Sequence, residues 1–425
     1  MADLRRAFLD AIRESPDDDV PRLIFADWLD DHGEPERAEF VRLQCELARL
    51  PPNDERRPAL EERECALQVH NWEAWLGPLA KVLRHDGCTF RRGFPEELNV
   101  RPRAIVELAE EFDRRVPAAR VTPYGTFGEP ALRALTGCPH LDWVTGLRLS
   151  HLRYAESGLA PVAESPHLPN LAELTIEYGT FTTAGVRALA TSPHRSALRR
   201  LRLDYSVFND SLPAPATADA LADPGVRFRP RALMLHNHRL GATGAATLAA
   251  TENLAQVKEL DLLLNRIGDE GAIALARSPH LRGLSSLVLQ TNDLTTRSVR
   301  ALVESPLLDG IDSLNLSVND VGDEGAELLA ACPRLAGLRR LNLFRAGITD
   351  RGTFALAASP HLANLTDLYL TVNDLTDRGS QALFDSPHLR RLERIGIGGQ
   401  FVAEKIISPS QRKQWLRRLG KGAHV

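Results

Sequence analysis

The sequence predicts an α/β solenoid, a curved parallel sheet of about eleven strand-helix coils preceded by an all-α domain. Three observations predict it: a self-similarity of 27 residues through most of the chain, strict alternation of leucines inside each unit, and a first stretch of 85 residues that is helix-compatible and free of the repeat. The organisation expected from them is a helical domain over 1–85, a connecting strand and helix over 86–115, coils over 116–400, and a C-terminal helix with a basic tail over 401–425.

In the first domain, helices are expected over 3–14, 20–31, 36–50 and 55–83. Asp17, Asp18 and Asp19 stand where a cap belongs, and Asp30 and Asp31 close the second helix before Gly33. With Asp27 and His32 they supply carboxylate oxygens of the kind a divalent cation takes, but capping and solvation account for them. Phe25, Trp28 and Leu29 fall at helical spacing and read as core.

From residue 116 the pattern changes. Residues 257–267, 284–294, 311–321 and 365–375 share the form L-x-x-L-x-L-x-x-N-x-L. Counted from the second leucine, units begin at Leu147, Leu174, Leu201, Leu233, Leu260, Leu287, Leu314, Leu341, Leu368 and Ile395, and every interval is 27 residues except the 32 between Leu201 and Leu233. A weaker unit over 116–121 precedes them. The x-L-x-L-x stretch alternates, so it predicts a short strand with leucines inward and the residues between them outward. A small polar residue nine positions later (Thr183, Asp210, Asp269, Thr296, Asp323, Asp350, Asp377) is expected to cap a helix, and Ser-Pro-His-Leu to stop it. Such units bury their apolar faces only by stacking, and ten gaps of roughly 4.8 Å imply a concave sheet on the order of 50 Å long. The extra residues near 211–217 should bulge between strands. At the far end, a helix over 410–419 with Trp415, Leu416 and Leu419 on one side is expected to cover the last coil.

The repeats resemble the helix-containing leucine-rich repeats of the ribonuclease-inhibitor type. That resemblance implies a leucine-rich-repeat solenoid in which the asparagine of each unit hydrogen-bonds the backbone of neighbouring coils. It is kept as Asn265, Asn292, Asn319 and Asn373 and replaced by Leu152, Gly179, Ser206, His238 and Ala346, so the N-terminal half is expected to be less regular. The first domain, through Pro21-Arg-Leu-Ile-Phe-Ala-Asp-Trp-Leu-Asp-Asp-His-Gly33, Arg37-Ala-Glu-Phe-Val-Arg-Leu-Gln-Cys-Glu-Leu47 and Phe90-Arg-Arg-Gly-Phe94, resembles the bacterial repeat-companion domain. This implies an architecture in a bacterial protein, not an activity. A cytoplasmic setting is expected separately, because the chain shows neither a membrane-length apolar run nor the basic then apolar start of a secretory signal.

Composition excludes several classes of function. Hydrophobic residues at 43%, charged residues at 25% and a net charge of −4 describe a folded chain and no disordered one. No apolar run approaches the roughly 18 residues of a membrane helix. The 52 basic residues are spread among 56 acidic ones, so no nucleic acid is expected. The five cysteines form no C-x-x-C pair and read as buried thiols. Phosphate-loop, zincin and nucleophile-elbow motifs are absent, and Gly396-Ile-Gly-Gly399 falls on the last strand. His140, His167, His194, His280, His361 and His388 recur at one coil position, where a structural turn explains them better than a metal ladder. No cofactor or metal is expected.

The informative surface is the concave face. The outward residue after the second inward leucine runs Ser150, Glu177, Asp204, His236, Leu263, Gln290, Ser317, Phe344, Thr371. Glu177, Asp204 and His236 thus line up with Tyr178, Arg202 and Tyr205 close by, a charged recognition patch; Leu263, Phe344 and Tyr369 add the apolar side chains that anchor protein interfaces. The expectation is a non-enzymatic, monomeric scaffold that binds a protein partner on this face. Two alternatives are an arginine supplied in trans to a nucleotide hydrolase and a weak metal-dependent hydrolase at Glu177, Asp204 and His236.

Overall fold

The apolar periodicity of the N-terminal stretch folds into α1 (Ala2–Glu14), α2 (Val20–Asp31), α3 (Pro35–Arg49) and α4 (Arg57–Leu76). Phe25, Ala26 and Leu29 of α2 bury against Val41 and Cys45 of α3, Leu9 and Ile12 of α1, and Phe94. The computed structural model describes residues 2–83, 87–124, 128–150, 159–179, 182–205, 216–397, 409–419 and 423–424. They form two units, residues 1–180 with 192–198, and residues 181–191 with 199–425.

In the first unit the helices are followed by β1 (Cys88–Arg91) and β2 (Phe94–Val100), an antiparallel pair joined by a two-residue turn. Arg92 and Gly93 both have positive φ, 49° and 89°, as a primed hairpin turn requires. Gly93 also has no room for a side chain, since a Cβ there would stand 2.6 Å from Val41. Next come α5 (Pro102–Glu107), α6 (Ala109–Arg115), β3 (Ala119–Pro123), α7 (Glu129–Thr136), β4 (Val144–Ser150), α8 (Ala160–Glu164) and β5 (Glu173–Gly179). Strands β2 to β5 are parallel, with Leu98, Val121, Leu147 and Leu174 in one buried row.

The second unit holds α9 (Thr183–Thr191), β6 (Arg200–Tyr205), α10 (Ala216–Ala222), β7 (Ala232–His236), α11 (Gly241–Ala250), β8 (Glu259–Asp261) and α12 (Gly268–Ala276). It continues through β9 (Ser286–Val288), α13 (Thr296–Glu304), β10 (Ser313–Asn315), α14 (Gly322–Ala330), β11 (Arg340–Asn342) and α15 (Asp350–Ala358). It ends with β12 (Asp367–Tyr369), α16 (Asp377–Asp385), β13 (Arg394–Gly396), α17 (Pro409–Leu419) and β14 (Ala423–His424). Its strands are parallel in chain order, and Leu201, Leu233, Leu260, Leu287, Leu314, Leu341, Leu368 and Ile395 pair one to the next. The row counted from the sequence is thus the register of the sheet, and the fold is a leucine-rich-repeat solenoid.

Side chains bind coil to coil on both sides of that row. Asn265 Oδ1 accepts from His238 N at 2.9 Å, while its Nδ2 donates to Leu235 O at 2.6 Å. Asn292 repeats this on Asn265 N and Leu262 O, Asn319 on Asn292 N and Leu289 O, and Asn373 on Ala346 N and Leu343 O. His238 stands in an asparagine position and keeps half of the arrangement, its Nε2 bonding Leu203 O at 2.9 Å. Where the helices stop, Ser165, Ser278, Ser305, Ser359 and Ser386 each donate to a carbonyl of the coil before. The serine of Ser-Pro-His-Leu therefore ties the coils, and the histidine beside it is exposed or half-buried.

Two sequence expectations change. Thr295, Thr349 and Thr376, one residue earlier than expected, cap their own helices. Asp269, Asp323 and Asp350 instead accept from the backbone N–H and hydroxyl of the threonine in the following coil. Asp323 also takes Gly352 N at 2.9 Å, and Gly352 must be glycine because a Cβ would lie 2.7 Å from that carboxylate. On α17, Trp415 is buried against Phe384 and donates to Ser380 Oγ at 3.0 Å, but Leu416 faces outward at 46% exposure. The extra residues near 211–217 lie mostly outside the described residues, as do Leu152, Ser206 and Asp210.

Candidate functional site

In the second unit the leucine row and the helices use one face of the sheet, leaving the other to the outward strand residues. Asp204 on β6 and His236 on β7 are direct register partners. His236 Nδ1 lies 2.8 Å from Asp204 Oδ1. Its Nε2 lies 3.0 Å from Asp261 Oδ2 on β8, close enough for charge attraction yet not aligned as a hydrogen bond. Arg202 completes the group, its Nη2 2.7 Å and its Nε 3.0 Å from Asp204 Oδ2. Nearby, Arg200 reaches across β7 to Glu259 with two bonds of 3.0 Å, a span that the small Ala232 leaves open.

The electrostatics follow from this enclosure. Burial by itself would lower the affinity of His236 for a proton, but Asp204 and Asp261 outweigh it and push the pKa up to about 9. Burial likewise opposes ionisation of Asp204, and the contacts to His236 and Arg202 hold it below the usual carboxylate range. His238, two residues further, is pushed down to about 4 by burial and is neutral. At neutral pH the group therefore alternates Arg202⁺, Asp204⁻, His236⁺ and Asp261⁻. Protonated on both nitrogens, His236 has no lone pair for a metal, and among the described residues no cluster of three His, Cys, Asp or Glu is placed to hold one.

Of the other sequence candidates, Glu177 belongs to the first unit, where it accepts from Ser150 Oγ at 3.1 Å and lies 3.9 Å from Arg148. Tyr178, also there, is exposed at 56% and has φ 52°. Tyr205 ends β6, and its side chain lies outside the described residues. Leu263, Phe344 and Tyr369 are half-buried. Tyr369 pairs with Asn342, so Phe344, two residues on, lies diagonal to Tyr369 and not opposite it. Of the acidic residues of the first domain, Asp27 and Asp30 each lie 2.7 Å from Arg42 and Asp19 lies 2.7 Å from Arg49, while Asp18 Oδ1 accepts from Val20 N at 2.9 Å at the start of α2. Cys45 and Cys88 are buried thiols, pushed up by burial to about 11 and about 12, whereas Cys65 is exposed.

Sequence reasoning missed Asp261. It sits one outward position earlier in its coil than the Asp204–His236 row, and only the diagonal reach of the imidazole joins it to them. The available signal was its own place just after the inward Leu260.

A family model described as Leucine Rich repeat matches residues 256–276, 312–330 and 361–384. No curated protein matches the chain. Among solved structures, the chain is similar to one in the crystal structure of the Rad7 and Elc1 complex from yeast, at 16% identity over 91% of this chain and 92% of that one, with a TM-score of 0.46. It is also similar to an internalin (inlF) from Listeria monocytogenes, at 19% identity over 68% of this chain and 77% of that one, with a TM-score of 0.39. No helix among the described residues is long and apolar enough to cross a membrane.

Proposed function

We propose that this chain is a non-enzymatic scaffold that binds a partner protein on the open sheet face of its repeats. The observation that carries the reading is the division of labour within each strand. Inward leucines are consumed by the core, while Leu263 stays partly exposed next to the Arg202–Asp204–His236–Asp261 group and Phe344 and Tyr369 stay partly exposed three to four strands further along the same sheet. Large side chains on a backbone held rigid by asparagine and serine ties lose little entropy on binding, which is what interface anchors require. The helical first domain is read with it as a repeat-companion domain, and the protein as a cytoplasmic monomer. Glu177 and Tyr178 are proposed as partner contacts on the first unit by itself, and Tyr205 is kept as a proposed contact only from its place in the repeat.

The test is affinity capture of the natural partner by the intact chain and by Phe344→Ala with Tyr369→Ala. The double variant should keep its melting temperature and weaken capture about tenfold or more, since loss of an interface anchor typically costs roughly 2 kcal/mol. Undiminished capture by a folded double variant would move the partner off this face.

A further inference from the structure

We propose that the N-terminal helices bind a small organic phosphate, its phosphate group held by a ring of arginines around Arg37 and its apolar body lying against Trp75. A cavity of about 330 Å³ is lined by Arg5, Arg6, Arg37, Arg114 and Arg115, with Glu34 as the one lining carboxylate. The carboxylates that hold Arg6, Arg114 and Arg115 (Asp10, Asp113, Glu110 and Glu111) stand outside the lining. They orient the guanidinium groups without filling the space between them. Glu34 is itself held by Arg5, with bonds of 2.9 and 3.3 Å.

Arg37 is the group that calls for a ligand. It is 94% buried (6% exposed), its guanidinium 4.6 Å from the ring of Trp75 and 5.4 Å from that of Phe94. Nη2 donates to Gly93 O at 2.5 Å, but Nη1 is buried with no hydrogen-bond partner. A buried cationic donor left open costs free energy, and because Arg37 also lines the cavity, an anion held there would offset the charge that its burial leaves uncompensated. Burial accordingly pushes Arg37 down to about 9, with Arg5 lowering it further and Glu34 opposing.

The lining also selects the anion. Five arginines border one space, a surplus of cationic groups that the single charge of a carboxylate matches less well than a phosphate dianion with its three terminal oxygens and second charge. The remaining walls, Leu9, Phe25, Trp75 and Phe94, are apolar, so the ligand should carry an apolar or aromatic body. This site lies wholly in the first unit and does not depend on the scaffold reading.

Calorimetric titration of the full chain with phenyl phosphate, inorganic phosphate and benzoate tests it. Phenyl phosphate should bind about tenfold more tightly than either of the other two, each of which supplies half of the recognised chemistry. Arg37→Gln should abolish binding, and because a buried change can unfold the domain, the partly exposed Arg5→Gln and Arg114→Gln provide the second arm. Each should weaken phenyl phosphate about fivefold or more at an unchanged melting temperature, while Phe344→Ala with Tyr369→Ala should leave it unaltered. No binding at millimolar phenyl phosphate, benzoate binding as tightly, or full affinity in both Arg5→Gln and Arg114→Gln would overturn the proposal.

Discussion

The coils of the first unit and those of the second leave their strands differently. Strands β4 and β5 run seven residues, whereas β8 to β13 run three each. The bend itself is not the difference, because the residue before the asparagine position is left-handed in both regions: Tyr178 before Gly179, and Leu264, Thr291, Val318 and Val372 before their asparagines. Positive φ at a β-branched valine is strained. What the second region adds is an acceptor for the amides that the bend exposes. Asn319 Oδ1 takes both Asn292 N and Leu294 N, at 2.9 and 3.1 Å. The shape thus belongs to the repeat, and the asparagine satisfies the buried backbone that this shape leaves unpaired.

At the core the two units should respond alike. Leu314 is buried in the central coils and Leu174 in the first unit. Changing either to Ala should cost on the order of 2–5 kcal/mol in urea denaturation, since the cavity penalty depends on packing and not on the ladder. A loss below about 1 kcal/mol at Leu174 alone would show that the first unit packs more loosely.

Asn319→Ala comes next. It strips two amides of their acceptor and the Leu289 and Leu316 carbonyls of a donor, which should cost on the order of 2–3 kcal/mol. Since Ala346 already occupies one such position, a near-neutral effect would mean that the backbone bend suffices and the ladder is dispensable.

His236 probes the charged group through pH. Its folded pKa of about 9 lies above the ordinary histidine value of 6.5. The group therefore contributes fully below about pH 6.5 and loses that contribution as pH rises toward 9, on the order of 2 kcal/mol after allowing for solvent screening. Proton NMR of the His236 ring should titrate near pH 9, and His236→Gln should flatten the corresponding part of the stability profile. A midpoint near 6.5 would dissolve the Asp204–His236–Asp261 pairing.

The smallest expected effect is a gain. Ala346→Asn would restore the missing rung between Asn319 and Asn373, and should raise the stability read from urea denaturation by less than about 1 kcal/mol. A loss instead would show that this coil has closed over the alanine.

The 27-residue period was enough to set the inward leucine row, the order and parallel pairing of strands within each unit and the outer helices, because these depend on spacing along the chain and on which face each residue takes. The four asparagine ties came only from the resemblance to ribonuclease-inhibitor-type repeats. The four N-terminal helices were legible for the same reason. Contacts between side chains of different coils were not. Whether Asp323 caps its own helix or the next one, whether His236 reaches Asp261 across the rows, and which way Leu416 turns on α17 depend on side-chain reach and on the offset between coils, which no spacing encodes. Arg37 makes the same point in the first domain. Its place on a helix was readable, but its burial among aromatic rings with one nitrogen unpaired arises only when α3, α4 and β2 come together, where burial raises the cost of an open donor and so marks a place for a ligand.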